Sequence, residues 1–301
     1  MSTARLAASR LFLALLATTP LACGASPGAN GSGARGRAED VWTRRVPPGP
    51  GARLELVNVN GAISAEAADG ETLELTAKRT VRARNDEAAR ELLAKLEMRE
   101  SARDGVVRIE VVHPSPLRSA NIEVRWSVRV PAGVAVDLRN ESGRIALSGL
   151  TGEVRARSVN GAILGEALAT QIVSATTTNG RVALALAQPL TGAGRIAAEA
   201  VNGSVEVALP ADSKASLRAS VTNGAVHAAG LDVTHSRARS RTRLEGTLGG
   251  GGTPVTLETT NGSARIRNAT APATSPKGDE PAPTAAPPVD PARIANGAVD
   301  V

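Results

Sequence analysis

The sequence predicts an all-β chain: a right-handed parallel β-solenoid with coils of roughly 20 residues and one short helix in its N-terminal part. An antiparallel β-meander or sandwich is the alternative. Three observations lead there. The pair Asn-Gly recurs at Asn60-Gly61, Asn160-Gly161, Asn179-Gly180, Asn202-Gly203, Asn223-Gly224 and Asn261-Gly262. Apolar residues alternate with polar ones on either side of these pairs. The apolar material is Ala, Val, Leu and Ile, since 301 residues include one Phe, two Trp and no Tyr. A thick core draws on aromatic volume, whereas a narrow one fills with small and branched aliphatics.

The N-terminus is an address. Residues 1–22 have a basic start (Arg5, Arg10), an apolar run from Leu11 to Ala17 and small residues before Cys23, the order of a secretory signal peptide. The run is too short to span a bilayer, and no later stretch reaches ~18 apolar residues. Cys23 is the only cysteine, so it forms no internal disulfide. Its position after Leu21-Ala22 resembles a bacterial lipobox, with Pro20 where the box usually has Leu. The expectation is an exported lipoprotein acylated at Cys23 and held at a membrane by its acyl chains. Gly24 rather than Asp after the cysteine favours the outer membrane; a secreted or periplasmic protein is the alternative.

Residues 23–40 are Gly, Ala and Ser with a few charges and read as a flexible tether. The folded domain is expected over 41–267. "RLELVNVNGAISAEAADGETLELTAKRTV" supplies its first strands. Residues 85–100 read as a helical insert: Asn85 is a cap, acidic residues open it, and Ala89, Leu92, Leu93 and Leu96 make a stripe. The helix is expected to cover an open end of the tube. Strands then return, with Trp126 alternating with Val124, Val128 and Val130.

The coils follow. Gly143, Gly161, Gly180, Gly203 and Gly224 are separated by 18, 19, 23 and 21 residues, and Gly262 lies 38 further on, two periods. Ile145 and Leu147 share a face, as do Val182, Leu184 and Leu186, and Val205, Val207 and Leu209. Asn-Gly suits a tight corner because Gly takes positive φ freely and Asn does so better than most residues. A meander would close each hairpin with the same pair. Regular coil length and a small-residue interior favour the solenoid, and stacked corners explain the recurrence of Asn, whose amide bonds to the Asn above and below. Residues 268–301 are rich in Pro and Ala, and are expected to be a disordered tail; Asn296-Gly297 is not counted as a rung.

"LELVNVNGAISA", the charged helical insert and "VRVPAGVAVDLRNESGRIALSGLTGEVRARSVNGAIL" together resemble the bacterial "putative adhesin" family. The resemblance covers most of 41–267. It implies a β-solenoid domain of unknown function, often behind signal sequences, and supplies neither ligand nor site residues. Two departures are Ser142 in place of a corner Asn and "GGGG" at 249–252.

Catalytic signatures are few. His113, His227 and His235 have no ligand spacing, so no metal or cofactor is expected. There is no Gly-x-Ser-x-Gly elbow and no Walker loop. Glu153, Glu166, Glu199 and Glu206 are scattered among basic residues. The net charge is +6, and its most distinctive carrier is "SRARSRTRLEG". There Arg237, Arg239, Arg241 and Arg243 would share one face of a strand, as an anion-binding stripe or a solvated surface. Export makes nucleic acid an unexpected partner. Anionic envelope polymers, lipid headgroups or an acidic protein fit better. The reading is a cell-envelope, non-enzymatic module for adhesion, binding or scaffolding; the alternative is an envelope enzyme acting on acidic glycans.

Overall fold

The computed structural model describes residues 36–49, 51–114 and 120–269. The coils begin with β2 (Arg53–Asn60) and β3 (Ile63–Ala68), which meet at Asn60-Gly61. Each later coil repeats that strand–corner–strand unit: β8 (Ala135–Ser142) with β9 (Ile145–Ser148), β10 (Val154–Asn160) with β11 (Ile163–Leu168), β12 (Ile172–Asn179) with β13 (Val182–Leu186), and β14 (Arg195–Asn202) with β15 (Val205–Leu209). In β16 (Ala215–Ala229) and β19 (Thr253–Asn268) one strand runs through the corner.

All pairings between these coils are parallel, and they keep register apart from a shift between Gly165 and Leu168 where β11 meets β13. The meander is thereby excluded. The first half of each coil builds one wall and the second half the other, with the corners along a shared edge. Asn60, Ser142, Asn160, Asn179, Asn202, Asn261 and Asn223 form a single line across the stack.

Between the walls lies an aliphatic core. Leu56, Leu138, Ala156, Ala175, Ala198 and Leu257 line the first wall, and Ile63, Ile145, Ile163, Val182 and Val205 the second, all fully buried. The two tryptophans meet at the N-terminal end, where buried Trp126 is edge-on to Trp42 with ring centroids 5.8 Å apart.

Both ends of the stack depart from chain order. At the N-terminal end, β6 (Val106–Val112) and β7 (Asn121–Pro131) pair parallel with β2 and β3 on the side away from β8 and β9. Antiparallel strands then finish the walls: β5 (Glu97–Arg103) on β6, and β4 (Leu73–Ala83) on β7, followed by β1 (Gly36–Val46) on β4. At the other end β19 lies between β14–β15 and β16. Gly262 is therefore not two periods beyond Gly224 but one rung inside it. The intervening residues form an antiparallel hairpin, β17 (Thr234–Arg239) and β18 (Arg243–Leu248), which finishes the first wall on β16.

Three expectations change. Residues 36–40, read as tether, are the start of β1, held by antiparallel pairing to β4. The insert at 85–100 is helical only over α1 (Asp86–Ala94), capped by the Asn85 side chain, because residues 97–103 find a strand partner in β6. The helix packs on β1 and β4 at the N-terminal end, and the antiparallel strands share the closing of that end. The single strand expected over 236–246 is the β17–β18 hairpin, turned at Ser240–Thr242, where Ser240 N–H donates to the Arg243 carbonyl at 2.9 Å.

The asparagine line is hydrogen-bonded. Asn179 Nδ2 donates to Asn160 Oδ1 at 2.9 Å, Asn202 to Asn179 at 2.9 Å, Asn261 to Asn202 at 2.8 Å, and Asn223 to Asn261 at 2.8 Å. Each link needs a donor and an acceptor on one side chain, which Asp lacks when ionised. Asn202→Ala is expected to cost ~1 kcal/mol and Asn202→Asp more, because the carboxylate has no donor for Asn179 Oδ1 and sets a negative charge against that oxygen, while it still accepts from Asn261 Nδ2; urea midpoints of the two variants check this order.

Candidate binding surface

The corner edge is built in two layers. Outside stands the asparagine line. Two residues earlier, pointing inward, stand Asn58, Asn140, Ser158, Thr177, Ala200, Thr259 and Val221, all buried. Asn58, Asn140, Thr177 and Thr259 bond to corner carbonyls, whereas the buried Ser158 hydroxyl does not. Asn140 Nδ2 donates to Gly61 O at 2.8 Å, Thr177 Oγ1 to Gly161 O at 2.9 Å, and Thr259 Oγ1 to Gly203 O at 2.9 Å. Asn58 Nδ2 reaches Asn140 Oδ1 at 3.1 Å. A buried carbonyl without a donor is costly, so this inner line satisfies what the tight corner leaves open. The sequence carried its signal: a polar Asn, Ser or Thr two places before most corner positions.

The outer faces are flat and mostly self-neutralised. On the first wall, Asp137 is buried beneath Arg139 and Arg157, at 3.1 and 3.4 Å. The hydrogen-bonded Asp137 carboxylate pushes the Arg139 guanidinium above its ordinary value. Glu153 bridges Arg53 and Arg155, both at 2.8 Å. Further along the same wall the rows become Thr176, Glu199, Glu258 and Ser220, beside Thr178, Val201, Thr260 and Thr222. A shallow depression of about 260 Å³ lies there, with Thr176, Glu199, Ser220 and Glu258 on its lining. Glu199 and Glu258 are direct neighbours across β14 and β19, and neither has a cationic partner among the described residues.

On the second wall Glu206 is the central ion. Its Oε2 accepts from Arg181 at 2.6 Å and its Oε1 from Arg267 at 2.7 Å, so one carboxylate joins three rungs and clasps the inserted β19. Burial alone would raise the Glu206 carboxyl, but the Arg267 hydrogen bond and the charges of Arg181 and Arg267 outweigh it and hold it below the ordinary value.

The arginines singled out in the sequence are divided by the hairpin. Arg237 and Arg239 belong to β17, Arg241 stands at the tip, and Arg243 begins β18. Arg241 and Arg243 are exposed, and neither has a carboxylate partner among the described residues. The tip itself is anchored: Val221 N–H donates to Thr242 O at 2.9 Å and Val226 N–H to Arg241 O at 2.8 Å. His113 and His227 are not brought together. His113 is half-buried after β6, where burial pushes its imidazole down against the pull of Glu141, whereas His227 is exposed on β16. Cys23 and Asn296-Gly297 lie outside the described residues.

These features define a β-solenoid of stacked, Asn-Gly-cornered coils with two flat outer walls. The family described as Toastrack DUF4097 matches residues 132–267. β2, β3, β6 and β7 stand before the match and continue the same two walls. No match is found among curated proteins. Among solved structures, a "putative cell adhesion protein" from Clostridium sporogenes is 16% identical over 77% of this chain and 100% of its own, with a TM-score of 0.42. A "putative adhesin" from Bacteroides fragilis is 12% identical over 76% of this chain and 97% of its own, with a TM-score of 0.33. A "putative lipid binding protein" from Parabacteroides distasonis is 12% identical over 76% of this chain and 96% of its own, with a TM-score of 0.25.

The Glu206 clasp has a pH signature. Its folded-state pKa lies below the ordinary 4.5, so its contribution is complete above about pH 4.5 and is lost as the pH falls through the lower folded value. Glu206→Gln is expected to cost ~1.5–3 kcal/mol at neutral pH, the range for hydrogen bonds to charged groups, and to flatten the acid limb. Thermal midpoints of wild type and variant from pH 7 to pH 3 check both.

Proposed function

We propose that the chain is an envelope-anchored, non-enzymatic β-solenoid that serves as a binding or scaffolding module. A lipid on Cys23 would hold it at a membrane, the outer membrane in preference to the inner. Its contact would be the basic hairpin carrying Arg237, Arg239, Arg241 and Arg243, and its partners anionic envelope polymers, lipid headgroups or an acidic protein. One observation carries this reading. The carboxylates Asp137, Glu153 and Glu206 are each matched by two guanidinium groups, while Arg241 and Arg243 stand exposed at the end of the stack without such a partner among the described residues. Unmatched guanidinium groups on a rigid support suit a planar anionic surface.

The adjacent Glu199 and Glu258, neighbours across β14 and β19, favour the second reading, an enzyme acting on glycans, since a pair of carboxylates is the machinery of most glycosidases. Their open, shallow setting and their shared negative charge oppose an acidic glycan. Hydrolysis of envelope glycans that disappears in Glu199→Gln or Glu258→Gln would establish this reading in place of the first.

The hairpin is tested with the four arginines changed to Gln and Cys23 changed to Ser, so that the acyl chains do not mask the contact. The Cys23→Ser protein with its arginines intact is expected to sediment with phosphatidylglycerol vesicles and to recover anionic partners from envelope extracts, less so as salt rises. The four-Gln variant is expected to lose both. Equal recovery by the two proteins would remove the hairpin from the account.

A further inference from the structure

Each wall has an edge at each end of the stack, and three of these four edges are guarded. β5 exposes Glu97, Arg99, Glu100 and Arg103 at the N-terminal edge of the first wall, and β1 carries Arg37, Glu39, Arg44 and Arg45 on the second. β17, with the sequence Thr-His-Ser-Arg-Ala-Arg, ends the first wall at the far end. Charges on an edge strand resist addition of another strand. The fourth edge is Ala225–Ala229 of β16, which bears no Lys, Arg, Asp or Glu. No strand lies beyond it on the second wall among the described residues.

Leu231 and Val233, which follow β16, pack half-buried against the core, but the inward line of the second wall ends uncovered. Ala65, Leu147, Leu184, Val207 and Ile266 form one inward line on the second wall, and all are buried. Ala228 is the next member of that line, and it is exposed. No rung stands above it among the described residues.

The chain contains a segment of the matching pattern. Residues 219–228 read "ASVTNGAVHA" and residues 292–301, the last ten, read "ARIANGAVDV". Ala, Asn, Gly, Ala and Val recur in place, with Ile294 for Val221 and Val301 for Ala228. The hairpin tip already stands over the corner of β16, bonded to Val221 and Val226, so only the half-rung after the turn has room. In the register of the stack, Val299 would cover Val226 and Val301 would cover Ala228. Asp300 would extend the outward line of Glu206, Arg265 and His227, beside His227. Asp300 N–H would donate to Val226 O, and Ala228 N–H to Asp300 O. β19 and β16 run parallel, so the tail must travel back only ~17 Å, one strand length. Residues 270–297 span that easily at ~3.1 Å per residue when extended.

We propose that the last residues of the chain, Ala298–Val301, add as a short parallel strand to the Ala225–Ala229 edge of the same molecule and close the second wall.

Amide hydrogen exchange tests this on the full chain, on a chain ending at Pro291, and on Val301→Asp in the full chain. The Ala228 amide is expected to exchange at least several-fold faster in both variants than in the full chain, at a rate independent of protein concentration, while amides of the central rungs such as Gly180 stay unchanged and report an intact stack. Equal exchange at Ala228 in all three proteins overturns the proposal. So does protection that grows with concentration alongside a dimer in sedimentation, which would give the edge to a second copy.

Discussion

The structure depends on the absence of a side chain at one point in every coil. At Gly143, Gly161, Gly180, Gly203, Gly262 and Gly224 a Cβ would run into the carbonyl oxygen of the corner glycine one rung below, far inside van der Waals distance. Backbone therefore rests on backbone along the whole corner edge, and each Gly N–H from Gly143 to Gly203 donates to the carbonyl of the next rung's corner residue at 2.9 Å. The asparagine line outside and the Asn, Ser and Thr line inside follow from this approach. Once corners are one strand spacing apart, identical amides fall within hydrogen-bond reach, and the corner carbonyls need a donor from within.

A stack with interchangeable rungs needs ends, and the ends set its limits. The first coil in the sequence is the second in space, and the last is the penultimate, so each end closes with a rung that the chain places early or late and then covers with antiparallel strands. Glu206 makes the C-terminal insertion more than a generic pairing, since its two arginines come from β19 and from the rung on the other side. Charged strands on three edges oppose end-to-end growth, and the fourth edge is the one place where the principle is not applied.

Much of this was legible before any coordinates. Asn-Gly spacing and period-two alternation identify the coils, and the aliphatic composition identifies a narrow interior. The amide ladder follows from the choice of Asn where Asp would serve a hairpin equally well. The order of rungs was not legible, because Thr253–Asn268 presents the same inward and outward residues as any other rung and fits any slot equally. Nor was the fate of 97–103, partly taken into the helical reading of 85–100: it pairs antiparallel with the adjacent Val106–Val112 across the Asp104-Gly105 turn, and that hairpin outweighs the helical pattern. The four alternating arginines hid a turn, since Ser240 and Thr242 carry no Gly or Pro to mark it and the Ser240 hydroxyl makes the turn by accepting from Arg243 N–H at 3.0 Å. Glu199 and Glu258 lie 59 residues apart in the sequence and become neighbours only through the insertion of β19.

The proposed binding role rests on corners that cannot spread. The most direct measurement compares Gly203→Ala with Gly192→Ala by urea denaturation. Both glycines have positive φ, +153° and +108°, but a Cβ at Gly203 meets Gly180 O whereas at Gly192 it meets nothing within 4 Å. The account predicts that Gly203→Ala costs at least ~2 kcal/mol more than Gly192→Ala, in the range of severe backbone and packing clashes. Equal losses would mean that backbone angle alone selects glycine and that the corners do not bear on one another.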